Sequence, residues 1–222
     1  MGDADYGIQP EVLTRIAGEI KELADTGVQI ALVVGGGNIF RGVAPAAKGM
    51  DRPTADYIGM LATVMNALSL ADALKQHNLN VCLQSGLEIG SVVEPFVRER
   101  AIDELEKGSV VIFGGGTGNP FFTTDTAASL RGLEINADVV FKATRVDGVY
   151  DKDPEKHKDA RRYETLTYDE VLEKRLGVMD ATAIALCRDN NMPLRVLNLN
   201  KPGSLIRAVA GKTEGTLVKS GA

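Results

Sequence analysis

Gly114-Gly-Gly-Thr-Gly-Asn-Pro-Phe-Phe-Thr-Thr-Asp125 is the stretch of this 222-residue chain that decides its fold. It follows Val110-Val-Ile-Phe113, a short apolar run typical of a buried strand, and it leads into a predicted helix at 124–135. Glycines let the backbone approach a ligand closely, and free amide groups at a helix start attract anions. The loop is therefore predicted to hold a phosphate. Its two phenylalanines could pack a base or sugar, or simply belong to the core.

A second loop of the same kind, Gly35-Gly-Gly-Asn-Ile-Phe-Arg41-Gly42, follows a predicted strand at 28–34. Two glycine loops at the carboxyl ends of strands fit the rule that open α/β sheets bind ligands at that edge. Neither loop contains the P-loop motif or the complete dinucleotide fingerprint, so the sequence excludes these two nucleotide-binding classes. Two purely structural turns remain the alternative.

Composition narrows the function classes. Hydrophobic residues make up 44% of the chain, enough for a substantial core. The net charge of −5 gives no support for a nucleic-acid or membrane partner, and no apolar run has the roughly 20 residues that a membrane span needs. With no visible signal peptide we expect a cytoplasmic protein. Cys82 and Cys187 are predicted to be buried free thiols, and no histidine cluster is available for a metal.

Helices and strands alternate along the chain. Predicted helices lie at 10–24, 54–76, 94–106, 124–135, 168–174, 181–190 and 203–210. Predicted strands lie at 28–34, 79–83, 110–113, 138–142, 194–197 and 216–218. A charged stretch at 155–162 is expected to be an exposed loop. This order predicts one α/β domain, residues 1–222, with a mainly parallel sheet covered by helices on both faces.

Several stretches resemble bacterial uridylate (UMP) kinases, a branch of the amino acid kinase superfamily. The most specific is Thr117-Gly-Asn-Pro-Phe-Phe-Thr-Thr-Asp125, while the three-glycine loop alone would mark only the superfamily. Further matching motifs lie at 35–42, 50–66, 142–150, 178–180, 200–203 and 214–217, so the resemblance covers essentially the whole chain.

The resemblance implies a three-layer α/β/α sandwich with a mainly parallel central sheet, the amino acid kinase fold. It also implies transfer of the ATP γ-phosphoryl group to UMP, giving UDP in pyrimidine nucleotide biosynthesis, with Mg²⁺ as cofactor. Family members open with a strand carrying Lys-Leu-Ser-Gly-Glu, which holds ATP phosphates. The chain starts beyond that motif at Met1, so we expect the first strand to be missing.

The resemblance also implies site residues. Arg41, Asp125 and Asp180 would act at the phosphates: Arg41 by stabilising charge, Asp125 by orienting Mg²⁺ or the donor, and Asp180 by organising basic residues or metal. The implied UMP-binding residues are Gly36, Asp56, Thr117, Gly118, Asn119, Pro120, Phe121, Phe122, Thr123 and Thr124. The implied ATP-binding residues are Gly37, Arg41, Thr144, Tyr150 and Asp153.

Most of the polar residues in this set also have a purely structural interpretation. Asp125 could serve only the helix dipole, Asp180 could be only an N-cap, and Arg41 could be a surface arginine. Asp56 could be a first-turn helix residue, and Tyr150 and Asp153 could be turn residues.

Two function classes therefore remain: a UMP kinase, or a catalytically impaired nucleotide-binding protein that lacks the phosphate-binding strand. Within the enzyme class, the alternative is an amino acid kinase acting on a carboxylate or carbamate. The resemblance further implies a homohexamer built as a trimer of dimers, with GTP as activator and UTP as inhibitor. The long helix at 54–76 is a plausible dimer face.

Overall fold

The computed structural model describes residues 7–40 and 49–221. The chain forms two compact units, Met1–Ala127 and Ala128–Ala222, and each contains one four-stranded sheet. The α/β fold class with a mainly parallel sheet is confirmed. The assignment of residues 1–222 to a single domain stays a prediction.

The first unit has a wholly parallel sheet in the order β1-β4-β2-β3. Its strands are β1 (Ala31–Val33), β2 (Val81–Ser85), β3 (Glu94–Pro95) and β4 (Val110–Gly114). Every residue of β4 is buried, as expected for a central parallel strand covered on both faces. Because β1 and β4 are neighbours, the two strands that lead into the glycine loops end at one edge of this sheet.

The helices of the first unit are α1 (Pro10–Ala24), α2 (Arg52–Gln76) and α3 (Arg98–Glu106). A fourth helix, α4 (Thr124–Glu134), begins in this unit. By length and composition α2 could cross a membrane. It packs on α1, β2 and β4, however, and buries side chains such as Met60, Val64 and Leu74, as the core helix of a folded domain does.

The second unit has a mixed sheet in the order β5-β7-β8-β6, in which only the β7–β8 pair is antiparallel. Its strands are β5 (Val140–Thr144), β6 (Thr165–Thr167), β7 (Leu194–Asn198) and β8 (Thr216–Lys219). Its helices are α5 (Tyr168–Glu173), α6 (Ala181–Asp189) and α7 (Ser204–Val209). Its core is a cluster of apolar side chains that includes the buried ring of Tyr168, whose hydroxyl donates its hydrogen to the carbonyl oxygen of Met192.

Two short strands are missing from the sequence prediction. Residues 94–95 were expected to open a helix, but they pair with β2 as β3, and the helix begins only at Arg98. Pro95 explains the difference, since a residue that precedes proline is biased towards extended backbone. The second missed strand, β6, has three residues and leads directly into α5, with Thr167 as its N-cap.

Both cysteines are buried free thiols, as predicted. Burial, followed by the hydrogen bond to Glu94, raises the pKa of Cys82 to about 12. Burial also raises the pKa of Cys187. Both side chains are therefore protonated packing groups at neutral pH, and neither is a ready nucleophile.

A buried carboxylate organises the end of the second unit. Glu214 is 4% exposed and accepts hydrogen bonds from Nζ of Lys201 and Nε of Arg207, both at 2.7 Å. Burial would raise the pKa of Glu214, but the hydrogen bonds and charges of these two cations lower it below its ordinary value. The network joins the β7–α7 connection and α7 itself to the segment before β8.

We expect Glu214→Gln to lower the free energy of unfolding by about 2 kcal/mol, because two cations would face a neutral amide in a buried position. Since the folded-state pKa is lowered, the wild-type advantage is fully present above the unfolded value of about 4.3. It is lost as the pH falls through the folded-state pKa. Urea unfolding at several pH values measures both effects.

The matched control is Glu173→Gln, at an exposed glutamate on α5, which should change stability by less than about 0.5 kcal/mol. An advantage of wild type over Glu214→Gln that grows as the pH falls below 4 would contradict the predicted sign.

Candidate functional site

The two glycine loops lie at the carboxyl edge of the first unit's sheet. Gly35 follows β1 closely, and Gly115 follows β4 directly. A Cβ atom added at Gly35 would lie 3.8 Å from Oγ1 of Thr124, the first residue of α4. The loop after β1 therefore approaches the end of the loop after β4. Both loops lie at the sheet edge where the sequence predicts a phosphate site.

The first loop is fixed to the middle of α2. Nδ2 of Asn66 donates to the carbonyl oxygen of Gly35 at 2.7 Å, and Asn66 and Asn38 exchange amide hydrogen bonds of 2.6 and 3.1 Å. A Cβ at Gly36 would lie 2.7 Å from the carbonyl oxygen of Gly59. Glycine at 36 is thus required by packing against α2, whatever it also permits for a ligand.

The second loop is fixed to α2 and to the end of β2. The amide of Gly115 donates to Oγ1 of Thr63 at 2.7 Å. Gly118 has φ of +79°, and a Cβ there would lie 2.3 Å from the carbonyl oxygen of Gly86. Backbone-to-backbone contact therefore demands glycine at 118 as well.

The start of α4 is capped by the loop itself. Oγ1 of Thr123 accepts the amides of Asp125 and Thr126 at 3.1 and 3.3 Å. Earlier in the loop, Oγ1 of Thr117 accepts the amide of Asn119 at 3.2 Å. Asp125 lies in the first turn, where the helix dipole favours a carboxylate, so its structural interpretation is consistent with the geometry.

The two phenylalanines of the loop face solvent. Phe121 is 65% exposed and Phe122 is 49% exposed, so the core interpretation is wrong for both side chains. The amide of Phe121 donates to Oδ2 of Asp56 at 2.8 Å, which connects the loop that carries both rings to α2. Pro120 lies between this contact and the Thr117–Asn119 turn.

In the second unit the predicted ATP residues all have local partners. Oγ1 of Thr144, at the end of β5, donates to the carbonyl oxygen of Val146 at 2.6 Å. The Tyr150 hydroxyl donates to Asp147, and that hydrogen bond raises the pKa of Tyr150. The pKa of Asp153 is lowered, first by the hydrogen bond that its carboxylate accepts from the amide of Glu155 and then by the nearby Lys156.

Asp180 is the N-cap of α6, because its side chain accepts the amide of Ala183 at 3.0 Å. Asp180 is thus an N-cap, and Asp153 accepts hydrogen bonds within its own turn, which are the structural roles that the sequence left open for these two residues. Gly37 lies in the turn that Gly36 closes by accepting the amides of Ile39 and Phe40. Arg41 lies outside the described residues.

The sequence assigns no role to three residues of α2 that shape this edge: Arg52, Thr63 and Asn66. Thr63 and Asn66 are polar side chains inside a largely apolar helix, 5% exposed and partly buried, respectively. Polar side chains in such a position need buried hydrogen-bond partners, so their occurrence in an apolar stretch of the sequence could have identified Thr63 and Asn66. Arg52 carries no comparable signal, since an arginine in a first helical turn is ordinary.

Gly118→Ala should lower the free energy of unfolding by about 3 kcal/mol, because the new Cβ meets a backbone oxygen and the left-handed φ strains any side chain. Chemical denaturation measures it. Gly90→Ala is the matched control, since its Cβ would have no heavy atom within 4 Å, and we expect a change of less than about 0.5 kcal/mol. Equal effects at the two positions would contradict the packing argument.

The chain is similar to known proteins over most of its length. Residues 3–198 match the model of the amino acid kinase family. The structure superimposes on the UMP kinase from Bacillus anthracis with a TM-score of 0.95 and 39% identity, over 99% of this chain and 91% of that chain. For the UMP kinase from Ureaplasma parvum the TM-score is 0.92 at 35% identity, over 99% of this chain and 94% of that one.

A more distant match is the uridylate kinase from Archaeoglobus fulgidus, with a TM-score of 0.75 and 30% identity over 95% of this chain and 93% of that one. The resemblance to bacterial UMP kinases is thus confirmed at the level of structure. The family model covers most of the sequence, and the chain belongs to the amino acid kinase family.

Proposed function

We propose that this protein is a UMP kinase, which transfers the γ-phosphoryl group of Mg-ATP to UMP and releases UDP and ADP. The observation that supports this most is the loop at 117–125. It carries the motif specific to UMP kinases, and it is joined to Asp56 of α2 beside a second glycine loop. Two matched bacterial structures are named as UMP kinases.

The first unit would bind the acceptor. Asp56 would hold the ribose of UMP, because its carboxylate can accept further hydrogen bonds beside that of the Phe121 amide. The exposed rings of Phe121 and Phe122 would cover the uracil base, and the loop from Thr117 to Thr124 would surround the nucleotide. Gly36 would allow the phosphate to approach the first loop.

The second unit would bind the adenine and ribose of ATP through Thr144, Tyr150 and Asp153. The Tyr150 hydroxyl stays protonated at neutral pH, since its pKa is raised, and its oxygen can still accept a hydrogen bond while its hydrogen is donated to Asp147. Gly37 and Arg41 would contact the phosphates of ATP. Asp180 would organise the groups near those phosphates from the start of α6.

Magnesium is expected to arrive with the nucleotide. Within residues 7–40 and 49–221 there is no group of three or more His, Cys, Asp or Glu side chains that could hold a metal. Mg²⁺ is commonly bound by one or two carboxylates together with substrate phosphates. Asp125 or Asp180 would supply such a carboxylate, and the ion would neutralise charge on the phosphates.

The reaction itself needs alignment and charge stabilisation. A phosphate oxygen of UMP attacks the γ-phosphorus, a new O–P bond forms, and the bond from that phosphorus to the β,γ-bridging oxygen breaks. Arg41 and the amides of the glycine loops would stabilise the charge on the transferred group. Exclusion of water by the phenylalanine-bearing loop would protect the phosphoryl group from hydrolysis.

We propose further that the protein works in the cytoplasm as a homohexamer, a trimer of dimers, with GTP as activator and UTP as inhibitor. One surface supports self-association. Exposed apolar side chains form a stripe along α2 at Tyr57, Leu61, Met65 and Leu68. An uncovered stripe of this kind marks protein interaction surfaces, and a twofold partner helix would cover it.

Release of ADP from Mg-ATP, measured with UMP, CMP or N-acetylglutamate as acceptor, tests the proposed reaction. We expect UMP-dependent turnover with kcat/KM at least about tenfold above that for CMP. Turnover with N-acetylglutamate alone would favour a kinase acting on carboxylates. Nucleotide binding without turnover on any acceptor would favour the non-catalytic alternative.

Asp125→Asn separates a role at the phosphates from a role at the helix dipole. If the carboxylate orients Mg²⁺ or the donor, kcat should fall about 100-fold while KM for UMP changes less than about threefold. If it serves only the dipole, stability should fall by about 0.5 kcal/mol and kcat should be unchanged. Asp138→Asn, at an exposed position before β5, is the control for a neutralised carboxylate.

A further inference from the structure

Arg52 contacts both parts of the proposed acceptor site. Its Nε lies 2.9 Å from Oδ1 and 2.8 Å from Oδ2 of Asp56. Oδ2 of Asp56 in turn accepts the amide of Phe121 at 2.8 Å. The guanidinium carbon of Arg52 lies 5.5 Å from the centroid of the Phe121 ring, a cation–π distance. We call these three residues, Arg52, Asp56 and Phe121, the Arg52 clamp.

Phe121 requires such support. Its φ is +73°, a left-handed conformation that bulky side chains rarely adopt. Four other non-glycine residues of the described chain share a positive φ: Asn78, Asn136, Arg175 and Asn191. Three of them are asparagines, which tolerate that region. Because Phe121 is 65% exposed, core packing does not fix its conformation, and its contacts with Asp56 and Arg52 contribute to holding it.

The clamp leaves acceptor capacity for a ligand. An ionised carboxylate offers about four lone-pair directions, and Nε of Arg52 and the Phe121 amide occupy about three of them. A ribose hydroxyl can therefore donate to Asp56 while the clamp stays closed. Arg52 holds the carboxylate plane fixed by approaching both oxygens, which reduces the ordering that a ligand would otherwise impose.

We propose that Arg52 is a positioning residue for the acceptor nucleotide: it holds Asp56 and the left-handed Phe121 in the binding-competent arrangement before UMP arrives. This inference rests on the proposed function and extends it to a residue that would act through Asp56 and Phe121. The effect belongs to acceptor binding. The ATP side and the chemical step should be little affected.

Three variants test the inference: Arg52→Ala, Arg52→Lys and the control Arg15→Ala. Arg15 forms an ion pair with Glu19 at the same i,i+4 spacing on α1, and its side chain is likewise partly exposed. In the nucleotide-free protein, amide exchange in the segment 118–123 should be about fivefold faster in Arg52→Ala. In Arg15→Ala it should be unchanged.

In steady-state assays Arg52→Ala should raise KM for UMP about fivefold, with kcat and KM for ATP within about twofold of wild type. Arg52→Lys keeps the charge and loses the guanidinium plane that lies near Phe121, so it should restore part of the UMP affinity. Wild-type exchange together with a wild-type KM for UMP in Arg52→Ala would overturn the inference while the proposed function stands. Absence of UMP-dependent turnover in the wild-type protein would overturn both.

Discussion

The packing of two glycine loops on one helix is the constraint on which the candidate site depends. Asp56, Gly59, Thr63 and Asn66 recur at intervals of three or four residues, so they share one face of α2. Gly59 and Asn66 meet the loop after β1, and Asp56 and Thr63 meet the loop after β4. A single rigid helix therefore fixes the spacing of both loops.

This arrangement changes the meaning of the glycines. The sequence suggests that they admit a ligand, but at Gly36 and Gly118 the nearest obstacle to a Cβ is the protein's own backbone. The two explanations are compatible, because a glycine that lets the backbone pack closely on its own chain also lets a ligand approach that backbone closely. Packing requires glycine at these two positions, and the approach of a ligand there is part of the proposed function.

The sequence predicted the element order well because its signals are strong there. The buried run Val110-Val-Ile-Phe113 and the Pro-started helix at Pro10 have unambiguous periodicity or punctuation. The errors have local causes: the strands at Glu94 and Thr165 have two and three residues, too few to establish an alternation. For the candidate site, the sequence motif at 117–125 identified the loop that follows β4.

The support of that loop was harder to predict. A contact such as Asn66 with Gly35 joins residues 31 positions apart, and only the folded chain brings them together. The same holds for Arg52, whose partner Phe121 lies much further along the chain than its helical neighbour Asp56. An i,i+4 pair on a helix surface is ordinarily a minor contribution to stability. Because Arg52 and Asp56 both contact Phe121 as well, we assign this ion pair a positioning role beyond that contribution.

The loop at 117–125 combines features that reduce stability in a protein with no ligand to bind. Two phenylalanine rings are exposed beside each other, and one of them has a left-handed backbone. Strain of this kind persists where the surrounding structure holds it in place, and it concentrates at binding and catalytic sites. Asp56, Arg52, Thr63 and Gly86 supply that restraint here. The loop's geometry thus argues for a ligand site on physical grounds that are independent of any likeness to known kinases.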